Sequence, residues 1–188
     1  GAVRALEQAT GAVAWKAEGL PGRLSAGPGV LLARGEDGTL WSLQPRTGAL
    51  RWKAETGVAG TLPALVDGDR ALVAGRGLAA VDLASGRVLW SDASGADTTA
   101  PLAAAGSRLL AGEADGTLRC RDRATGSSLW VLRTSGALLA PPLVDEGRRR
   151  LYLGTSDKRI LEVSLDQGES GWAWRVGADV GHPGLLLP

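Results

Sequence analysis

The sequence predicts an all-β protein made of a tandem repeat, and three observations lead to this fold class. Five of the seven tryptophans follow a glycine by four residues, and consecutive members of this set lie 37, 38, 40 and 42 positions apart. Short apolar runs alternate with turn residues, and no ten-residue stretch has the 3.6-residue period of an amphipathic helix. Repeats of this length are typical of solenoids, propellers and arrays. The glycine–tryptophan pairs are Gly11/Trp15, Gly48/Trp52, Gly86/Trp90, Gly126/Trp130 and Gly168/Trp172.

The tryptophan-containing half of each repeat predicts a strand, a tight turn and a second strand. An aliphatic residue stands twelve positions before each of these tryptophans, with no gap in any repeat. A polar residue follows four positions later, and then comes the glycine, which supplies the positive φ that closes a tight turn. The leading aliphatic residues of the five repeats are Val3, Leu40, Leu78, Leu118 and Ile160.

The other half of each repeat predicts a second hairpin. A proline stands eleven residues after four of the five tryptophans, at Pro63, Pro101, Pro141 and Pro183. Aliphatic runs follow, and all length variation between repeats falls in this half, where turn tips tolerate it. Four strands of about five residues in each repeat are typical of a β-propeller blade. A sandwich is the weaker alternative, because its strands need not recur as quartets at a fixed period.

Composition and charge limit the classes of function. The chain is 44% hydrophobic and 22% charged, which is typical of a globular protein. Its net charge of +1 gives no electrostatic reason to expect a nucleic-acid partner. No run approaches the length of apolar sequence that a membrane helix needs, so no transmembrane segment is predicted. The single cysteine excludes an internal disulfide and a cysteine-based zinc site.

A motif of the form A-x-D-x-x-x-G-x-x-x-W recurs in the five repeats. It is complete from Ala80 to Trp90, and from Ala5 to Trp15 it has Glu7 in place of the aspartate. The other three copies match with substitutions. This motif resembles the tryptophan-docking motif of the pyrroloquinoline quinone (PQQ)-type β-propeller repeat family, and the resemblance covers nearly the whole chain. WD-type repeats match poorly, since no Trp-Asp dipeptide ends a strand.

The resemblance implies a structural role for the five glycine–tryptophan pairs. Each indole is expected to lie flat between neighbouring blades, over a glycine turn in which a side chain would intrude. Burying roughly 200 Å² of indole is worth up to about 5 kcal/mol before entropy costs. We therefore expect these ten residues to dock blades together and not to bind a cofactor.

The same resemblance implies a blade phasing. The leading aliphatic strand is then the third of a blade and the tryptophan strand the outermost fourth. Four complete blades span about residues 24–174, with two strands before them and one, residues 183–187, after them. We expect residues 1–188 to form a single partial propeller domain. A seven- or eight-bladed ring at this period needs about 280–320 residues, so a further segment or another propeller chain is expected to complete the ring. A closed five-bladed ring is the alternative.

Three classes of function are implied by the resemblance: quinoprotein dehydrogenases, scaffolds similar to the outer-membrane assembly factor BamB, and sensor domains attached to other modules. The dehydrogenases need PQQ, carboxylate and amide ligands for Ca²⁺, and commonly an adjacent cysteine pair. The chain has no asparagine, and Cys120 stands alone where a small buried side chain is expected. No Ser/His/Asp set, metal cluster or phosphate loop is found. No catalytic, cofactor-binding or metal-binding residue is therefore predicted, and no cofactor.

Two features are candidates for contact with a partner. Trp41 stands at a position where the other aligned repeats have Arg4, Ala79, Arg119 and Leu161. Exposed tryptophan and arginine are frequent interface anchors. The run Arg148, Arg149 and Arg150 lies at a predicted hairpin tip, where a solvated turn is the ordinary interpretation and docking to an acidic partner or to anionic lipid head groups is the alternative. Trp174 shares a strand face with Trp172 and is expected to add packing within its blade.

Residues that open the inner strands are expected to rim the central channel. They are candidates for binding a small ligand, and one of them is the only histidine of the chain. The predicted rim residues are Thr61, Asp97, Thr98, Thr99, Asp179 and His182.

These observations together predict a non-enzymatic PQQ-type repeat propeller that acts as a protein-interaction scaffold. The predicted location is a bacterial envelope, in the periplasm or at the periphery of the outer membrane, and the expected partners are proteins. The first alternative is a fragment of a quinoprotein alcohol dehydrogenase that uses PQQ and Ca²⁺. The second is a ligand-sensing propeller domain of a larger signalling protein.

Overall fold

The computed structural model of the chain describes residues 1–177, apart from the side chains of residues 94–96. The predicted strand at residues 183–187 and two predicted rim residues, Asp179 and His182, lie outside these described residues. All regular secondary structure in the described part is β-strand, which confirms the all-β prediction. The described part has no helix long and apolar enough to cross a membrane.

Seventeen strands form five antiparallel sheets in the described residues. In chain order they are β1 (Ala2–Leu6), β2 (Val13–Glu18), β3 (Arg23–Gly27), β4 (Val30–Arg34), β5 (Thr39–Leu43), β6 (Leu50–Glu55), β7 (Leu65–Asp67), β8 (Arg70–Asp82), β9 (Val88–Asp97), β10 (Ala103–Ala105), β11 (Arg108–Gly112), β12 (Thr117–Asp122), β13 (Ser128–Arg133), β14 (Leu143–Asp145), β15 (Arg150–Thr155), β16 (Arg159–Ser164) and β17 (Ser170–Arg175).

The sheets follow the predicted repeat. Three sheets have four strands in sequence order, β3 to β6, β10 to β13 and β14 to β17, and each is one predicted blade. Sheet β1-β2 corresponds to the third and fourth strands of a blade. A complete blade therefore begins at its proline-marked hairpin and ends at its tryptophan strand, as the sequence predicts.

The second complete blade differs from the others. Its sheet has three strands, β7-β8-β9, because β8 runs without interruption over 13 residues. The two ends of β8 lie together, since the Leu83 N–H donates to the Asp69 carbonyl at 2.9 Å. β8 therefore doubles back and supplies the second and third strands of its blade. The turn is tighter here because four positions separate Ala74 from Leu78, whereas six separate Arg34 from Leu40.

The tryptophan strand of each four-stranded sheet pairs with the strand that the leading aliphatic residue opens. Ser42 lies opposite Trp52, and the register shifts just after Ser42. The turn between these strands is closed by Gly48, which has a φ of 71°. Its N–H donates to the Gln44 carbonyl at 2.8 Å. The predicted strand, glycine turn and strand are thus present, with a bulge beside the tryptophan.

The chain divides into two compact units, Gly1–Ala93 and Ser94–Pro188. The core of the first unit lies between sheet β3–β6 and sheet β7–β9, and we call this contact the first interface. Leu32 and Leu40 pack there with Val73 in one buried cluster. A smaller cluster around Val3 and Leu43 joins sheet β1-β2 to sheet β3–β6.

The core of the second unit lies between sheet β10–β13 and sheet β14–β17, and we call this contact the second interface. Leu110 and Leu118 pack there with Leu151 and Leu153. These side chains are buried and apolar, and they come from the strands on both sides. Each unit therefore buries its strands against a neighbouring sheet, as apolar residues on both strand faces require.

Candidate functional site

The first unit contains two docked tryptophans. The Trp52 indole N–H donates to the Leu83 carbonyl at 2.9 Å. A Cβ atom built at Gly86 would lie 2.7 Å from Trp52 Cδ2, so any other residue would displace the ring. Trp15 makes the same pair of contacts one blade earlier, over Gly48 and with a hydrogen bond to the Pro45 carbonyl at 2.9 Å. Each ring thus spans an interface and contacts the following glycine turn.

The second unit contains one tryptophan docked in the same way. The Trp130 indole N–H donates to the Leu165 carbonyl at 3.1 Å. A Cβ atom built at Gly168 would lie 2.5 Å from Trp130 Cε3. The φ of Gly168 is 73°, which only glycine adopts without strain. Contact and backbone conformation therefore both require glycine at this turn.

The remaining residues of the five predicted glycine–tryptophan pairs have environments that differ from those of the three docked tryptophans. Trp90 is half-buried in the first unit, and Gly126 is buried in the second. Trp172 is 41% exposed and lies beside Tyr152, with ring centroids 6.2 Å apart. Gly11 has the turn conformation, with a φ of 71°, but nothing lies within 4 Å of a Cβ atom built on it. The first glycine and the last tryptophan of the series therefore have no docked counterpart in the described residues.

A buried arginine at the first interface was not predicted from the sequence. Arg34 is 1% exposed, and its guanidinium donates to the carbonyls of Val58 at 2.9 Å, Ala74 at 2.6 Å and Leu62. Burial lowers the pKa of Arg34 to about 10. Arginine is rarely buried, so residue type alone gave no indication. A comparison of the repeats could have given one, since Gly112 stands at the equivalent position.

Trp41, a predicted partner contact, is half-buried in the structure. It packs against the cluster around Val3 and Leu43. A Cβ atom built at Gly35 would lie 3.2 Å from its ring, and Lys53 Nζ is 5.9 Å from the ring centroid. The ring of Trp41 therefore makes most of its contacts with residues of the first unit.

The predicted arginine run carries its own counter-charges. Arg148 pairs with Asp145 at 3.0 Å, and Arg150 Nε lies 3.5 Å from Glu162. Arg149 pairs with Asp166. These contacts hold the pKa of Asp166 below its ordinary value, and the hydrogen bond from Arg149 is the largest cause. The run is therefore a set of paired surface charges and not a free cationic patch.

Trp174 does not add packing within its blade, so that expectation was wrong. Its side chain is 68% exposed in the described part of the chain. Its partner across the strands is Ile160 of β16. All six residues of β17 are exposed in the described part of the chain, and Trp174 is more exposed than Trp172, which lies beside Tyr152.

Of the predicted rim residues in the described part, Asp97 ends β9, and the three threonines lie on the segments between blades. Thr61 and Thr99 are exposed, and Thr99 Oγ1 donates to the Leu138 carbonyl at 2.8 Å. Thr98 is buried and pairs with Glu113 as an isolated bridge. The Asp97 carbonyl accepts from the Ala114 N–H at 3.0 Å. Thr98 is therefore not available to a ligand, whereas Thr61 and Thr99 face solvent.

One carboxylate is buried among the described residues. Glu113 is 3% exposed, and its Oε1 lies 2.6 Å from Arg119 Nε. Cys120, next along β12, is fully buried, and burial raises the pKa of its thiol to about 11. No group of three or more His, Cys, Asp or Glu residues that could hold a metal ion occurs in the described part.

A cavity with a volume of about 690 Å³ lies between sheet β1-β2 and sheet β3–β6. Apolar side chains line it, including Val3, Leu24 and Leu31. Three exposed arginines, Arg4, Arg46 and Arg51, lie at the same cavity. No acidic residue lines it, so its surface is apolar with a cationic margin.

Sequence comparison places these repeats in a family. The family model described as "Outer membrane protein assembly factor BamB" matches residues 1–95 and 74–182. The chain belongs to this family. It is a propeller of PQQ-type repeats, as the tryptophan motif predicts, and its docked tryptophans lie within the matched residues.

Two relatives have names that describe different functions. A quinoprotein ethanol dehydrogenase of Pseudomonas aeruginosa is 29% identical over 112 residues, which cover 53% of this chain and 18% of the relative. An outer membrane protein assembly factor BamB of Nitrosomonas eutropha is 27% identical over 98 residues, which cover 52% of this chain and 23% of the relative. The chain therefore spans about a fifth of the length of the curated relatives it matches.

Two solved structures share the fold. BamB of Moraxella catarrhalis has a TM-score of 0.72 at 24% identity, covering 92% of this chain and 55% of that one. The quinohemoprotein alcohol dehydrogenase ADHIIG of Pseudomonas putida HK5 has a TM-score of 0.68 at 17% identity, covering 84% of this chain and 34% of that one. At these identities the likeness shows the propeller fold alone.

Proposed function

We propose that this chain is a non-enzymatic protein-interaction scaffold that takes part in outer-membrane protein assembly in a bacterial envelope. The observation that carries the proposal is the match of the assembly-factor family model to residues 1–95 and 74–182. The proposed location is the periplasm or the periphery of the outer membrane. The docked tryptophans suit this role, because they hold the blades in fixed positions without relying on a ligand.

The outer strand β13 is the proposed contact surface. Leu129 and Val131 alternate along it and are 48% and 46% exposed. The equivalent residues of β6 are Arg51 and Lys53. Charged side chains protect an edge strand from pairing with other chains, and an apolar pair does not. β13 is thus open to an extended segment of a partner at a place where β6 is protected.

The proposal is tested by crosslinking at equivalent positions of the two strands. A photoreactive amino acid replaces Leu129 in one variant and Arg51 in the other, and both are produced in a bacterial periplasm. We expect the variant at position 129 to crosslink to an outer-membrane assembly protein and the variant at position 51 to give no such product. The same products from both positions, or none from either, would contradict the proposed contact surface.

The quinoprotein dehydrogenase is the second candidate function, and the Pseudomonas aeruginosa relative favours it. Such an enzyme holds Ca²⁺ through carboxylate and amide oxygens. The chain has no asparagine, and within the described residues the buried carboxylate of Glu113 is paired with Arg119. The described residues do not fit a PQQ and Ca²⁺ site, so we derive no catalytic step for this candidate.

Absorbance spectroscopy separates the two candidates. PQQ and Ca²⁺ are added to the chain, and cofactor uptake and dye-linked alcohol oxidation are measured. The scaffold proposal expects no stoichiometric uptake. Tight, stoichiometric binding with alcohol oxidation would overturn it.

We also propose that the chain is part of a ring of seven or eight blades. It covers 55% of the BamB chain that shares its fold, which supports this ring size. Trp172 has the sequence context of a docking tryptophan and is 41% exposed, so it is available to the glycine turn of a further blade. In such a ring, Thr61 and Thr99 remain candidate rim residues.

A further inference from the structure

Strand β13 is the last strand of a complete four-stranded blade, and among the described strands it pairs only with β12. From Trp130 to Arg133 the two strands pair in regular register, whereas Leu129 lies at the register shift. We call the free side of β13 between Trp130 and Arg133 the β13 edge. It is a short and regular template for one additional strand.

The backbone groups of Val131 and Arg133 are directed outward at the β13 edge. The Thr134 N–H, directly after β13, donates to the Gly116 carbonyl beside the start of β12 at 2.9 Å. Residues of an antiparallel strand direct their backbone groups alternately to its two sides. Leu132 therefore faces β12 as Thr134 does, and the N–H and carbonyl groups of Val131 and Arg133 are available to a further strand.

The side chains of the same two residues are exposed and differ in chemistry. Val131 is 46% exposed, and the Arg133 side chain is exposed as well. Arg119 lies opposite Val131 on the same face of the sheet, but it is paired with Glu113 at 2.6 Å. The β13 edge thus presents an apolar side chain next to a cation that belongs to another position.

Arg133 has no ion pair within the described residues. Asp115 is the carboxylate on which its charge acts, but Asp115 is already engaged by Thr117, whose N–H donates to Asp115 Oδ1 at 2.9 Å. Hydrogen bonds from Thr117 are the main reason that the pKa of Asp115 lies below its ordinary value, and the charge of Arg133 contributes less. Arg133 is therefore available to a carboxylate from outside the chain.

The equivalent edge of β6 shows how a blade can balance such a charge itself. Lys53 and Glu55 stand there in place of Val131 and Arg133. Lys53 Nζ lies 3.4 Å from Glu55 Oε1 and 5.9 Å from the centroid of the Trp41 ring. β6 therefore carries both signs of charge on its own edge. The β13 edge carries only the positive one, so an acidic partner is complementary to it.

We infer that the segment that pairs with β13 runs antiparallel to it, with a carboxylate opposite Arg133 and, two residues later, an apolar side chain opposite Val131. The occupant is an extended, acidic segment of a partner protein. Its carboxylate balances Arg133, and its apolar side chain covers Val131 across the strands. The antiparallel direction follows from the greater stability of antiparallel pairing. This inference rests on the proposed contact surface and adds the pattern that the surface recognises.

The test titrates synthetic peptides into the isotope-labelled chain and follows the backbone amides by NMR. The matched peptide is a capped threonine octamer with glutamate as its third residue and valine as its fifth. One control peptide has glutamine in place of the glutamate, and a second has lysine. A third reverses the order, with valine before glutamate. Arg133→Glu is the charge-reversal variant of the chain, and Arg51→Glu on β6 is its matched control.

We expect the matched peptide to shift the amide signals of Val131 and Arg133. It should bind about threefold or more tightly than the glutamine and reversed peptides, which is the range of an exposed ion pair. The lysine peptide should bind most weakly. Arg133→Glu should invert the order of the glutamate and lysine peptides, whereas Arg51→Glu should leave it unchanged. Unshifted signals in the other blades check that both variants are folded.

Four results would overturn the inference. Equal affinities of the glutamate and glutamine peptides would refute the carboxylate, and tighter binding of the reversed peptide would refute the antiparallel direction. No binding of any peptide at millimolar concentration would refute the template itself. Shifts at Val131 that depend only on the concentration of the chain would identify a second copy as the occupant. Crosslinking at position 129 together with equal peptide affinities would reject this inference alone and leave the scaffold proposal in place.

Discussion

The first and second interfaces each contain a docked tryptophan. They differ in the space beside it, which a strand residue fills in the first interface and a residue between blades fills in the second. In the first interface the large side chain is Arg34 and the small residue beside it is Gly60. In the second the strand residue is Gly112, and the large side chain is Leu138 from the segment between blades. Both arrangements put one large and one small residue together. The repeat therefore conserves the filled volume and not the chemistry that fills it.

Arg34 and Leu138, the large side chains of the two interfaces, stabilise them through different interactions. The Arg34 guanidinium satisfies three carbonyl groups but is desolvated, which is why its pKa falls to about 10. Leu138 is 1% exposed and contributes apolar burial without a charge. Removing Arg34 leaves carbonyls without donors, whereas removing Leu138 leaves an empty space. Substitutions at the two interfaces can therefore distinguish what they share from what differs.

The largest expected effect comes from the shared feature. Trp52→Ala and Trp130→Ala should each lower the free energy of unfolding by about 3–5 kcal/mol, because each removes a packed ring and its hydrogen bond. Urea denaturation measures the change. Trp174→Ala is the matched control and should change little, since that ring is 68% exposed. A loss as small as that of the control at either docked position would show that the contact does not hold the interface.

A residue exchange in the second interface tests the volume rule. Gly112→Arg and Leu138→Gly alone should each destabilise by about 2–4 kcal/mol, the first through a clash and the second through a cavity. A Cβ atom at Gly112 would lie 2.8 Å from Leu138 Cβ, so the two positions are in contact. The double variant should recover about 1–3 kcal/mol relative to the sum of the single changes.

The control for this exchange is Gly112→Ala with Leu138→Gly. Alanine is too short to reach the carbonyl groups that an arginine would contact, so the recovery should be smaller. Strict additivity in the arginine pair, measured by the same denaturation series, would refute the equivalence of the two interfaces.

A smaller effect is expected at the first interface. Arg34→Met keeps most of the volume but removes the donors to Val58, Leu62 and Ala74, and should cost about 1–3 kcal/mol. Thermal denaturation measures it, with Arg51→Met as the exposed control. An unchanged or higher Tm would mean that the desolvated charge costs as much as its hydrogen bonds contribute.

The smallest expected effect concerns the ion pair of the second interface. Arg108 and Asp166 stand where the first interface has Val30 and Ala84. Asp166→Ala should lower Tm at pH 7 by less than either tryptophan substitution, because exposed ion pairs contribute little. The folded pKa of Asp166 lies below its ordinary value of 3.8. Its contribution is therefore present above that value and is lost as pH falls through the lowered pKa.

The Tm difference between the unmodified chain and Asp166→Ala should accordingly shrink as the pH falls below 3.8 and through the lowered pKa of Asp166. Asp69→Ala is the control, because Asp69 is 82% exposed and pairs with its neighbour Arg70 at 3.4 Å. A difference that persists at low pH would assign the effect to packing and not to charge.

The repeat pattern predicts the strands and the docked tryptophan rings. It does not predict which side chains fill the space beside these rings at the two interfaces. A tryptophan four residues after a turn glycine is a local pattern, and the ring position follows from it. The Arg34 and Leu138 environments depend on two segments that are distant in sequence, so each residue alone looks like a surface arginine or a loop leucine. Aligning the repeats would have shown the opposite sizes at these positions.

Surface features were less predictable for the same reason. The arginine run was visible as a charge cluster, but Asp166, which pairs with Arg149, lies in a different repeat half. Trp41 is accommodated at its position in the repeat because Gly35 leaves room for its ring. At the equivalent position of another repeat, Arg119 forms an ion pair with Glu113. Contacts such as these join residues of neighbouring strands, so comparing the residue types at one position of the repeat does not reveal them.

The burial of Cys120 has a practical consequence for work on this protein. The only thiol of the chain is inaccessible and is protonated at neutral pH, because its pKa is about 11. A cysteine introduced at an exposed position, as in Trp174→Cys, would therefore react selectively with a maleimide dye. Fluorescent labels could be attached to chosen blades without first replacing the native residue.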